Sequence, residues 1–130
     1  MYNDFSYYEE EYAKIVEILE KDYDHEQPDI PRSKEFNRAY RNEVRRLIKP
    51  YGYELVSEKG STYCGSSGTI TDGKGNEIYF NSGDYRYDGD RIFERVLVRL
   101  NNKGNYYCPL RDIGKACNEL FEIGGLASYY

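Results

Sequence analysis

Between Phe36 and Ile48 the apolar residues Phe36, Ala39, Tyr40, Val44, Leu47 and Ile48 recur at the 3.6-residue period of one helix face. A helix with one apolar stripe needs a second layer to cover it, so this segment dictates a layered fold. Ser33 stands where a cap would open the helix, and Pro50-Tyr51-Gly52 ends it. Lys34, Arg38, Arg41 and Arg45 form a row of cations on another face.

The flanking text supplies the other layers. A first helix is predicted from Tyr7 to Asp22, capped by Ser6 with Glu9 completing a capping box. Tyr8, Tyr12, Ile15 and Leu19 fall on its apolar face, and Glu9, Glu10 and Glu11 crowd its first turn, which suits the positive end of the helix dipole. Asp24–Pro31 reads as a loop. Strand text follows in Tyr53–Ser57, with a turn at Glu58-Lys59-Gly60, a short strand at Thr62–Cys64 and a bend at Gly65–Gly68. Thr69–Asp72 and Glu77–Asn81 flank Gly73-Lys74-Gly75-Asn76, a strong hairpin signal. Ser82–Asp90 reads as a loop. Ile92–Leu100 fits both periods, and the β-branched Val96 and Val98 favour a strand from about Arg95. Asn101–Asn105 reads as a turn. A last helix is expected from Pro109, with Leu110, Ile113, Ala116, Cys117, Leu120 and Phe121 as its stripe and Gly124-Gly125 as its stop. The predicted fold is α+β: two N-terminal helices, an antiparallel sheet of about four strands and a C-terminal helix. Its 130 residues fit one domain. An acidic helix and loop occupy 1–32, a core 33–123 and a short tail 124–130.

Composition narrows the function classes. The chain carries 23 acidic and 18 basic residues, for a net charge of -5. That small number hides segregation: residues 1–30 sum to -8 and residues 31–50 to +5. Mean hydropathy is -0.87, no apolar run approaches a membrane span, and no signal-peptide pattern opens the chain. A cytoplasmic protein is expected, with no membrane partner. Cys64, Cys108 and Cys117 are odd in number and lack CxxC spacing, which speaks against a disulfide framework or a zinc knuckle. Cys117 falls on the last helix's apolar stripe. The single His25 denies the chain His-based metal sites. Ser66 lies outside any GxSxG elbow, and no Walker A loop or GxGxxG occurs. Neither an enzyme nor a cofactor or metal site is expected.

Three surfaces remain. The row Lys34, Arg38, Arg41 and Arg45 has the form of a phosphate-tracking surface, with Tyr51 and Tyr53 placed to stack on bases. Docking against the acidic first helix is its bland alternative. The acids Glu10, Glu17, Asp22 and Asp24, interleaved with tyrosines, can imitate a nucleic-acid backbone and steer toward a basic groove. The loop SGDYRYDGD offers Tyr85 and Tyr87 as contacts, and its Asp84, Asp88 and Asp90 lack the ligand spacing of a calcium loop. Of the 16 Tyr, those at 8, 12 and 40 are assigned to the core, and those at 85, 87, 129 and 130 are left for a partner.

Arg46-Leu47-Ile48-Lys49-Pro50-Tyr51-Gly52-Tyr53-Glu54-Leu55-Val56 resembles the helix-to-strand start of small proteins encoded on bacterial phages and conjugative elements. Tyr63-Cys64, Ser67-Gly68, Tyr79-Phe80 with Ser82, Asp84 and Arg86, Leu97-Val98-Arg99 and Asn105-Tyr106 continue the resemblance in order, from Phe36 to Leu120. Ile92-Phe93 stands where that group has a Trp. The resemblance implies an α+β topology and a mobile-element origin. By analogy it implies a counter-defence protein: an anti-CRISPR that binds a Cas9-type host nuclease and occludes a nucleic-acid-binding surface. The alternative is a nucleic-acid-binding accessory protein using the arginine row.

Overall fold

The N-terminal apolar spacing produces a helix, but one that starts later than the sequence predicts. The structure is a computed structural model, and it describes residues 8–21, 30–56 and 65–125. A 3-10 turn, Glu10–Tyr12, leads into helix α1, Ala13–Lys21. Glu9 stands before it without a side-chain cap bond, and the Ser6 half of the expected capping box lies outside the described residues. Tyr12, Ile15 and Leu19 are buried as the spacing requires.

Helix α2 spans Ile30–Ile48. It opens three residues ahead of Ser33, which therefore lies inside the helix rather than at its cap. Pro31 belongs to its first turn, not to a loop. The first backbone N–H groups of a helix have no intrahelical acceptor, so a proline there forfeits nothing. Phe36, Ala39, Tyr40, Val44 and Ile48 are buried, and Leu47 packs on them partly buried. A 3-10 turn, Lys49–Tyr51, and Gly52 at φ 81° close the helix.

Five antiparallel strands follow in simple order: β1 Glu54–Val56, β2 Ser67–Thr71, β3 Glu77–Asn81, β4 Val96–Leu100 and β5 Lys103–Cys108. The predicted β2–β3 hairpin forms with Ile70 opposite Ile78. Strand β5 is one the sequence did not reveal. Its turn uses only Asn101 and Asn102, both at positive φ (49° and 63°), so Leu100 pairs directly with Lys103. Gly104, expected in the turn, instead lies within the strand at φ 69°, where the register shifts. The expected strand at Thr62–Cys64 lies outside the described residues.

Alternation divides the sheet into two faces. Ile70, Ile78, Phe80, Val96 and Val98 are buried toward the helices. Helix α5, Ile113–Ile123, is entered through a 3-10 turn, Leu110–Asp112, and closed by Gly124 at φ 79°. It packs on α2 and β4, while α1 packs on α2. Thr69, Tyr79, Asn81, Leu97, Arg99 and Tyr107 point the other way and are only partly buried.

Between β3 and β4 the expected loop contains two short helices, α3 Tyr85–Asp88 and α4 Arg91–Glu94. Asp84 accepts from the N–H of Asp88, and its own N–H donates to Asp88 Oδ2 at 2.8 Å, so the turn is capped reciprocally. Both periods read in Ile92–Leu100 are therefore real. Ile92 and Phe93 are buried from a helical turn, and Val96 and Val98 from a strand.

Candidate functional site

Reactive side chains are buried in structural roles. Cys108 and Cys117 are free thiols inside the core. Burial pushes the Cys108 thiol up to about 12 and holds Cys117 well above its ordinary value, so neither is a thiolate at neutral pH. Ser66 is buried with its hydroxyl donating to Asn37 Oδ1 at 2.8 Å, and its N–H donates to Ser82 Oγ at 2.9 Å. The two serines fasten the start of β2 to the end of β3. Among the described residues no group of three His, Cys, Asp or Glu is placed to hold a metal. His25 and Cys64 lie outside the described residues.

The arginine row of α2 is not a continuous surface. Lys34, Arg38 and Arg45 are exposed, but Arg41 is only 8% exposed. Its guanidinium runs under the sheet edge, where Nη2 donates to the Val56 carbonyl at 3.3 Å and lies against Gly68. Arg41 therefore ties α2 to β1, which corrects its place in a solvent-facing row. Arg45 donates to Asn42 Oδ1 at 2.9 Å. Arg46, outside the predicted row, grips both oxygens of Glu43 at 2.6 and 2.9 Å and approaches Glu11 at 3.8 Å. Part of the opposite charge of the two helices is thus spent in docking them. Tyr53 is also structural: its hydroxyl donates to Asn118 Oδ1 and its ring packs on Phe121, while Tyr51 stacks beside it.

The acidic candidates divide. Glu10 and Glu17 are exposed; Asp22 and Asp24 lie outside the described residues. Glu9, Glu10 and Glu11 are crowded at the helix start. A hydrogen bond with Glu9, then partial burial, raises the Glu11 carboxyl above its usual range. The two tyrosines of the loop also part company. Tyr85 is 1% exposed, with its ring 5.0 Å from Phe36. It is a core residue, which corrects its expected exposure, because α3 turns it inward. Tyr87 is 79% exposed.

The fold brings the start of the first helix against this α3–α4 segment. Tyr8 donates its hydroxyl to the Asp90 carbonyl at 3.1 Å, and its ring lies 4.3 Å from Phe93. Exposed Glu9 and Glu10 follow Tyr8 in the chain, and exposed Asp90 and Tyr87 lie on the segment that Tyr8 contacts.

A second surface joins Ser82, Gly83 and Asp88 of the loop SGDYRYDGD to side chains that the sequence does not bring together. At the end of the open sheet face, Asn81, Ser82, Gly83, Asp88, Arg91, Arg95, Leu97 and Tyr107 line a cleft of about 300 Å³. The Arg95 guanidinium lies over the Tyr107 ring, 4.4 Å from its centroid. Arg91 and Arg95 are exposed. The signal was present as Arg91, Arg95 and Arg99 at four-residue spacing, but only the switch from α4 to β4 puts them beside Tyr107. No helix among the described residues is long and apolar enough to cross a membrane. Compared with protein-family models, curated proteins and solved structures, the chain matches none of them.

Proposed function

We propose that the chain is a non-enzymatic binding protein of a mobile element, acting in the cytoplasm of a bacterial host as a counter-defence inhibitor. Its target in this reading is a Cas9-type nuclease, and its mode is stoichiometric occlusion of a nucleic-acid-binding groove. The observation that carries the reading is the junction made by Tyr8 and Asp90, which gathers the acidic helix start and the segment bearing Tyr87 along one edge. Carboxylates and an exposed tyrosine on two segments in contact suit a basic groove: the charges steer the encounter, and the aromatic anchors it. The resemblance to phage and conjugative-element proteins supports the counter-defence setting.

Titrating the purified protein against the host's Cas9-type effector in a DNA-cleavage assay tests this. Inhibition should saturate near one equivalent, and Glu10→Lys with Glu17→Lys should weaken it at least tenfold. Inhibition untouched by these reversals and by Tyr87→Ala, or turnover at substoichiometric protein, sinks the proposal.

The second reading is a nucleic-acid-binding accessory protein, favoured by the exposure of Lys34, Arg38 and Arg45 on α2. It predicts that the protein alone shifts labelled DNA, with affinity falling steeply as salt rises. The occlusion reading predicts no shift through α2.

A further inference from the structure

We infer that the cleft lined by Arg91, Arg95 and Tyr107 is a nucleotide site, taking either a free nucleotide or one unit of a single strand. The Arg95 guanidinium lies over the Tyr107 ring, 4.4 Å from its centroid, and both residues line the cleft. A guanidinium and an aromatic ring are the two side-chain groups on which bases stack. Arg91, exposed and without an ion pair to any described residue, supplies a cation for the phosphate from the neighbouring turn of α4. Asp88 closes the opposite sign into the same wall. Its Oδ2 already accepts from the Asp84 N–H, and its carboxylate sits against Gly83.

A wall of both signs disfavours a plain anion. It suits a ligand with an anionic end and a ring that carries amino donors, which Asp88 can accept. The volume is at the lower end for small-molecule sites, enough for one nucleotide unit. Outward residues of β4 continue the pattern. Leu97 and Arg99 follow Arg95, the last residue before the strand, at every second position, and the two lie about 6.7 Å apart along β4. Arg99 is held by Asn105 Oδ1 at 2.7 Å and stands opposite Tyr79 in register. A strand leaving the cleft therefore meets a second cation and a second ring. This site shares the α3–α4 segment with the acidic edge but none of the residues tested there (Glu10, Glu17 and Tyr87), so its failure leaves the proposed function standing.

The test is fluorescence anisotropy of labelled decadeoxyadenylate, whose bases carry the amino donor, with the intact protein, competed in separate arms by AMP, ATP and inorganic phosphate. Binding should weaken at least tenfold with Arg91→Gln plus Arg95→Gln and with Tyr107→Leu, and stay unchanged with Arg38→Gln plus Arg45→Gln. Competition by AMP or ATP identifies a free-nucleotide site, and lack of it a strand site. Arg91→Gln alone, at an exposed position, should cost several-fold and carries the test if Tyr107→Leu misfolds. No binding of any probe overturns the inference. So does binding lost only with the α2 pair, or displacement by inorganic phosphate as effective as by AMP.

Discussion

Arg41 shows how one member of a charged row can be withdrawn from solvent by what lies over it. Its periodicity with Lys34, Arg38 and Arg45 is genuine, yet Gly68 leaves room beneath the sheet and the guanidinium fills it. Helical spacing assigns a residue to a face; it does not say how far the neighbouring layer extends. The same limit misplaced Tyr85, whose inward turn depends on the Asp84–Asp88 cap. Tyr40 and Tyr12 make a sharper contrast. The buried Tyr40 hydroxyl donates to the Ile92 carbonyl, whereas the buried Tyr12 hydroxyl has no hydrogen-bond partner among the described residues. Tyr40→Phe should lower stability by about 1–2 kcal/mol, while Tyr12→Phe should be neutral or stabilising, as chemical denaturation of both variants will show. Cys108 and Cys117 should resist a thiol reagent at pH 8 in the native protein and react once it is unfolded, by peptide mapping. Their raised values also set a sign. The folded state keeps its proton where the unfolded chain loses it, so the contribution of Cys108 is whole below about 9 and declines as pH rises toward about 12, and that of Cys117 has the same sign. Melting temperatures should therefore fall across the alkaline range.

Among the elements, the legible ones were those whose period is long enough to repeat. The stripes of α2 and α5 and the β2–β3 hairpin each state their period several times. Strand β5 does not, because Lys103, Gly104 and Asn105 are poor strand formers and the pairing with β4 is what extends them. Helices α3 and α4 are too short to show a period at all. Between α2 and α5 the approach is close: a Cβ on Gly114 would collide with the Leu47 carbonyl oxygen and lie 2.8 Å from the Tyr51 ring. Gly114→Ala should destabilise by about 1–3 kcal/mol through overpacking, read as a lowered denaturation midpoint. In the β2–β3 turn, Asp72 accepts from the Asn76 side chain and from the N–H groups of Lys74 and Asn76. These bonds, the Asn76 side chain first, hold its carboxyl below the usual range. The stability they confer is present above the ordinary aspartate value and is lost as pH falls through the lowered one. Asp72→Ala should lower the melting temperature at pH 7 and flatten its response to acid.

At the scale of the molecule, the α+β class was readable because apolar stripes and alternating text occupy separate stretches of chain. The acidic edge was only half readable, and of the cleft only the loop that supplies Ser82, Gly83 and Asp88, since both depend on segments joined by the α3–α4 turn. The order β1-β2-β3-β4-β5 also has a mechanical side. The apolar face of the sheet stays half covered until Leu110, Ile113, Ala116, Cys117 and Leu120 arrive. A chain ending at Cys108 should show no cooperative melting transition, in contrast to the full chain. During synthesis each new strand finds its neighbour already made and waiting, so the sheet can be laid down in the order the ribosome delivers it. Closure is deferred to the last helix, which acts as the latch of the whole assembly.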